Sequence, residues 1–226
     1  MDRPGSDYGD LGTALAQQWG VAVDVFECDL ELEASGQTLV RWTAERERGL
    51  DILVNNAAFV GTTNLEGWVI DLQHQTLDTW RRAVEVNLIA AFNLSKGLSP
   101  LLSAGKGVAI INIASIYGSF APDYGLYAGT SMGNPAAYAA SKGGLIQLTR
   151  WLATTLAPRI RVNAISPGGI ARDQPPAFVQ RYSARTPPGR MATADDMKGA
   201  VAYLASDMSR HVTGQNLAVD GGWGVW

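Results

Sequence analysis

Tyr138 and Lys142 stand four residues apart in a helix-like stretch, and Ser115 and Asn87 precede them. Residues spaced by four project from one helix face. A phenol with a reference pKa near 10 is too weak a base for neutral pH, but an ammonium fixed beside it favours the phenolate. The pair is therefore a candidate tuned general acid–base. Ser115 directly follows the apolar run VAIINIA, at the carboxyl end of what reads as a strand. Asn87 lies inside TWRRAVEVNLIAAFNLSK, where asparagine is a mediocre helix former and, if buried, needs hydrogen-bond partners. Asn55-Asn56-Ala57-Ala58 follow the run DILV, and Pro167-Gly168-Gly169 follow IRVNAI, a turn that lets backbone close on a ligand. Asp29 ends VAVDVFEC, where its carboxylate either caps a turn or accepts bonds from an adenine amino group.

These residues need elements to hold them. Strands are predicted at Val21–Cys28, Asp51–Val54, Val108–Ile113, Ile160–Ile165 and Gln215–Val219, all rich in Val and Ile with little polar alternation, as in strands covered on both faces. Helices are predicted at Asp7–Trp19, Ala34–Arg48, Leu77–Leu102, Pro135–Leu156 and Thr193–Ser206. Alternating strands and helices predict an α/β fold, a doubly wound parallel sheet, as a single domain over residues 1–226. Ligands of such sheets bind beyond the strands' carboxyl ends, where the residues above fall.

Composition narrows the functions. A net charge of −3 gives no electrostatic case for nucleic acid or an anionic membrane. No apolar run approaches the length of a membrane-spanning helix, and the polar, acidic start MDRPGSDYGD does not read as a signal peptide. The one cysteine, Cys28, reads as buried strand packing and suits a reducing cytoplasm. Neither His74 nor His211 sits in a ligand-like cluster, so no metal site is expected. Residues Pro175 to Arg190 read as a loop; with Arg172, its Arg181, Arg185 and Arg190 are either solvated surface or a site for an anionic substrate. Trp223 and Trp226 in the terminal DGGWGVW read as buried or as a subunit contact.

In this order, NNAA at Asn55, VN at Asn87, IAS at Ser115, YAASKGG from Tyr138, RVNAISPGG from Arg161 and TGQNLAVDGGW from Thr213 resemble the short-chain dehydrogenase/reductase family. The resemblance implies a Rossmann-like fold and an NAD(P)-dependent oxidoreductase interconverting an alcohol and a ketone. It implies that Tyr138 exchanges the proton of the reacting oxygen and that Ser115 hydrogen-bonds that oxygen. Lys142 would lower the phenol's pKa and hold the nicotinamide ribose, and Asn87 would anchor a water on the proton path. It places Asp29, Leu30, Asn55, Ala57, Pro167, Gly168 and Ile170, with Tyr138 and Lys142, at cofactor-contact positions. A small-molecule substrate, a cytoplasmic location and a homodimer or homotetramer built on the long helices around Asn87 and Tyr138 follow from the same resemblance.

Two departures modify it. Between Ser115 and Tyr138 lie 22 residues, IYGSFAPDYGLYAGTSMGNPAA, which read as an ordered loop over the substrate, as in family members acting on sugar-derived compounds. The family's opening strand, glycine-rich phosphate turn and first helix have no counterpart before Asp2-Arg3. Asp2 then aligns with the acidic residue that binds the adenosine ribose hydroxyls, which favours NAD slightly over NADP. Without that first strand, DILV is expected to lose a neighbour and the segment before Cys28 to lose its sheet partner. The expectations are a longer native chain or, as the alternative function, a non-catalytic remnant that associates with intact homologous subunits.

Overall fold

The apolar runs DILV, VAIINI, IRVNAI and QNLAV form the strands β1 (Ile52–Asn55), β2 (Ala109–Ile113), β3 (Arg161–Pro167) and β4 (Asn216–Val219) of a computed structural model. Residues 10–46, 49–59, 65–105 and 108–226 are described. The strands lie side by side in the order β1-β2-β3-β4, all parallel. Burial on two faces explains the unbroken apolar character of β2 and β3. On one face Ile110 and Val162 pack with Leu98 and Leu102 of α4 (Ala90–Leu102) and Leu152 of α5 (Ala136–Thr155). On the other, Ile111 and Ile165 meet Leu204 of α7 (Asp195–Ala205). The sheet is thus covered from both sides, as the alternation of elements predicts.

Earlier in the chain lie α1 (Leu11–Trp19), α2 (Glu33–Arg46) and α3 (Leu77–Val84). Helix α3 starts at Thr76, whose hydroxyl accepts from the Thr79 amide at 3.3 Å. It runs through a π-helical stretch, Glu85–Ile89, directly into α4, so the predicted helix Leu77–Leu102 is present with one widened turn at Asn87. Helix α5 begins one residue after Pro135, which has no amide hydrogen to leave unpaired.

Two predictions are corrected. Among the described residues Val21–Cys28 pairs with no strand of the sheet: it is irregular apart from a single bridge residue at Glu27, and Val21 and Val25 are about half exposed (51% each). Its apolar character serves a different contact, because Phe26 and Cys28 pack on α2 and α4 beside Leu39 and Leu94, with Phe26 5.1 Å from Trp42. Among the described residues β1 is the sheet edge on that side, and Ile52 and Val54 are each 39% exposed. The Pro-rich segment read as a loop contains helix α6 (Pro176–Ala184), started by Pro176 at its first turn. Phe178 and Tyr182 bury its inner face against Tyr127 and Trp223, so tertiary packing overrides the local proline signal.

Candidate active site

The carboxyl ends of β1, β2 and β3 open into a cleft of about 800 Å³. Asp29, Leu30, Ala57, Pro167, Gly168 and Ile170 line it together with Ser115, Tyr138 and Lys142. The predicted cofactor and catalytic positions thus converge, with three differences. Asp2 lies outside the described residues. The Asn55 side chain turns away: its amide donates to Asn112 at 2.8 Å and to Ser95 at 3.3 Å, and Asn112 donates onward to Thr149 at 2.8 Å. This polar chain ties β1 to β2, α4 and α5, while the neighbouring Asn56 faces the cleft. Asn87 is buried, and its polar atoms hold backbone. Its carbonyl accepts from the Phe59 amide at 2.7 Å, and its amide donates to the Phe59 carbonyl at 3.3 Å and to the Ser141 hydroxyl at 3.0 Å. The widened turn at Asn87 aims it across at the loop after β1 and at α5, which explains an asparagine in mid-helix.

Ser115, Tyr138 and Lys142 are brought together by a close crossing of backbone. Ser115 caps the 3₁₀ turn Ile116–Gly118, its hydroxyl accepting from the Tyr117 amide at 3.2 Å. A Cβ on Gly118 would come within 2.8 Å of the Lys142 carbonyl group, so only glycine lets that turn lie against α5. Ser115 thereby stands beside the Tyr138 phenol, where it favours the phenolate. Lys142 is almost wholly buried, and its ammonium donates to the Ile113 carbonyl at 2.7 Å. Burial lowers its pKa to about 8. Burial also raises the Tyr138 phenol, with Ser115 pulling it the other way. The Lys142 nitrogen lies 5.9 Å from the centre of the Tyr138 ring and is held by backbone. Cys28 is buried on the cleft wall, and burial pushes its thiol up, as for an inert packing residue.

On the far side of the cleft, the Pro167-Gly168-Gly169 turn is braced by α6. The Gly169 amide donates to the Tyr182 hydroxyl, and added Cβ atoms at Gly168 or Gly169 would meet Asp220 or the Tyr182 ring within 2.8 Å. The stretch between Ser115 and Tyr138 folds over this support as two 3₁₀ turns, with Leu126 and Tyr127 in the aromatic cluster of α6 and Trp223. Trp226, by contrast, is exposed. Three of the four arginines of this region are occupied within the fold. Arg181 donates to the Leu126 carbonyl at 2.8 Å, Arg185 pairs with Asp123 and lies over Trp223, and Arg190 forms a two-pronged pair with Asp196. Arg172 alone among them lines the cleft. The sequence reading did not single out Tyr117, Trp68 and Asn134, which also line it. Their only signal was membership of the Tyr- and Gly-rich insert or of the loop after β1.

A parallel sheet covered on both faces, with an acid–base cleft at its strand ends, defines an α/β protein of the dinucleotide-binding kind. Residues 6–224 match the family model described as enoyl-(acyl carrier protein) reductase. Trans-4-hydroxycyclohexanecarboxylate dehydrogenase of Sinomonas cyclohexanicum is 37% identical over 94% of this chain and 79% of its own length. Galactitol 2-dehydrogenase (L-tagatose-forming) of Cereibacter sphaeroides is 33% identical over 96% of this chain and 79% of its own. The match to an uncharacterized short-chain type dehydrogenase/reductase of Sinorhizobium fredii, 33% identical, takes in 99% of this chain but only 38% of that protein. A crystal structure of a short-chain dehydrogenase of Leptospira borgpetersenii with bound NAD+ superposes with a TM-score of 0.79 at 32% identity, over 98% of this chain and 91% of that one. The chain belongs to the short-chain dehydrogenase/reductase family.

Proposed function

We propose that the protein is an NAD(P)-dependent oxidoreductase that interconverts a secondary alcohol and a ketone on a small, hydroxyl-bearing substrate. The observation that carries this reading is the convergence of Ser115, Tyr138 and Lys142 in one cleft with Asp29, Leu30, Ala57 and Gly168. The residues present fit a dinucleotide. Asp29 and Leu30 offer an end for adenine, Gly168 in the close-packed turn Pro167–Ile170 offers bare backbone, and the ammonium of Lys142 offers a donor for ribose hydroxyls. A bound nicotinamide supplies or takes the hydride. Tyr138 gives its phenolic proton to the carbonyl oxygen during reduction and takes it back during oxidation. Ser115 donates to the same oxygen where negative charge develops. Asn87 fixes Phe59 and Ser141 on either side of the site, and the water it would anchor on the proton path is what the family resemblance implies. NAD or NADP serves this scheme equally; the slight preference for NAD rests on Asp2.

The test is absorbance at 340 nm with either cofactor and a panel of ketones and secondary alcohols. Tyr138→Phe is expected to abolish turnover while leaving cofactor binding and the folded circular-dichroism spectrum intact. Undiminished turnover in that variant would remove Tyr138 from the mechanism. A second reading, the non-catalytic remnant that associates with homologous subunits, is favoured by the exposed apolar residues Leu11, Trp19, Val21 and Val25. It predicts no cofactor binding at all.

A further inference from the structure

Asn134 is nine-tenths buried, and neither its side-chain nitrogen nor its oxygen has a hydrogen-bond partner. Such groups are rare, because a buried amide that has given up water and gained nothing destabilises the fold. This one sits on the wall of the cleft, four residues before Tyr138 in the turn that starts α5. Its neighbours on that wall are Met132, Gly133 and Pro135 along the chain, with Val69 packed against Gly133 and Trp68 next to it. None of these carries a charge.

Resting on the oxidoreductase reading above, we propose that Asn134 is a specificity residue that recognises a neutral hydroxyl group on the substrate, beside the carbon that reacts at Tyr138. An amide offers one donor side and one acceptor side, and a hydroxyl answers both, donating to the Oδ1 and accepting from the Nδ2. A carboxylate or phosphate fits this amide worse, because it has no hydrogen to give the Oδ1 and would leave it facing negative charge. A plain ketone leaves the amide as it stands, unpaired. The ligand class is thus a hydroxyketone or the corresponding diol or polyol, rather than an anionic or wholly apolar carbonyl compound. Sites built to pair a substrate hydroxyl discriminate strongly against the analogue that lacks it.

The matched probes are 2-hydroxycyclohexanone and cyclohexanone, with NADPH or NADH, on the full chain. The wild type is expected to favour the hydroxyketone in kcat/KM by about tenfold or more. Asn134→Leu, close in shape, is expected to erase that preference, lowering kcat/KM for the hydroxyketone about tenfold or more relative to cyclohexanone. In the same variant the thermal midpoint is expected to rise by about 2–4 °C, because an orphaned polar group is replaced by an apolar one. An unchanged preference in Asn134→Leu overturns the inference while the oxidoreductase reading stands. So does a fall in thermal midpoint in both Asn134→Leu and Asn134→Ala, which would mean that the amide holds the fold together. Reduction of neither ketone, or of any other in the panel, overturns the oxidoreductase reading and this inference with it.

Discussion

Lys142 shows how one buried charge can act oppositely on stability and on chemistry. Its ammonium is shielded from water, held only by the Ile113 carbonyl, and titrates near pH 8 instead of the usual 10.5. A folded-state pKa below the unfolded one means that the unfolded chain binds the proton more tightly, so this group's cost is full below about pH 8 and fades as pH rises to 10.5. Lys142→Met is therefore expected to stabilise the protein at pH 7 by up to about 3 kcal/mol in chemical denaturation, with the gain vanishing above pH 10.5. The same substitution is expected to lower kcat/KM and to remove an inflection near pH 8 from its pH profile. Ser115 and Gly118 act at this scale too, one by favouring the Tyr138 phenolate and the other by having no side chain to hold the turn away from α5.

At the scale of elements, the site is a junction of caps and crossings. The loop after β1 is fixed by Asn87 from the widened turn between α3 and α4, and the turn after β3 is fixed by Tyr182 from α6. The start of α7 is closed by Asp196, which accepts from the Thr193 amide at 2.7 Å and its hydroxyl at 2.9 Å and pairs with Arg190. These bonds hold the carboxyl far below its ordinary pKa, the pair with Arg190 most of all. A depressed carboxylate contributes stability above its unfolded pKa of 3.8 and loses it as pH falls through the acid range below that. Asp196→Ala is accordingly expected to unfold at a lower temperature than the wild type at pH 7, and the gap is expected to close progressively once the pH drops below 3.8. Thermal melts at a series of pH values check both limbs.

For the whole molecule, the long helices that carry the site also present an outer surface. Trp151 on α5 is 53% exposed and Ile89, in the turn leading to α4, is 38% exposed, large apolar groups of the kind that subunit contacts bury. If the protein assembles as the proposed homodimer or homotetramer through these helices, Trp151→Glu is expected to shift the light-scattering mass toward that of a monomer without changing the far-ultraviolet spectrum. A wild-type mass of one chain would end that reading. Among the described residues no helix is long and apolar enough to cross a membrane.

The sequence by itself determined what depends on periodicity and local chemistry. The four apolar runs became parallel strands, the central two buried on both faces, and the spacing of Tyr138 and Lys142 put both on one helix face. Pro135 and the proline–glycine turn after β3 marked where backbone starts or reverses. Only the tertiary structure decided the rest, because it depends on what lies opposite. The run Val21–Cys28 has the composition of a strand, but packing of Phe26 and Cys28 on α2 and α4 gave it another role. Arg181, Arg185 and Arg190 read alike in the chain as possible anion ligands, and each is engaged within the fold. Asn134 looked like one more loop residue, since an unpaired amide is defined by partners that are missing in space and not by neighbours in sequence.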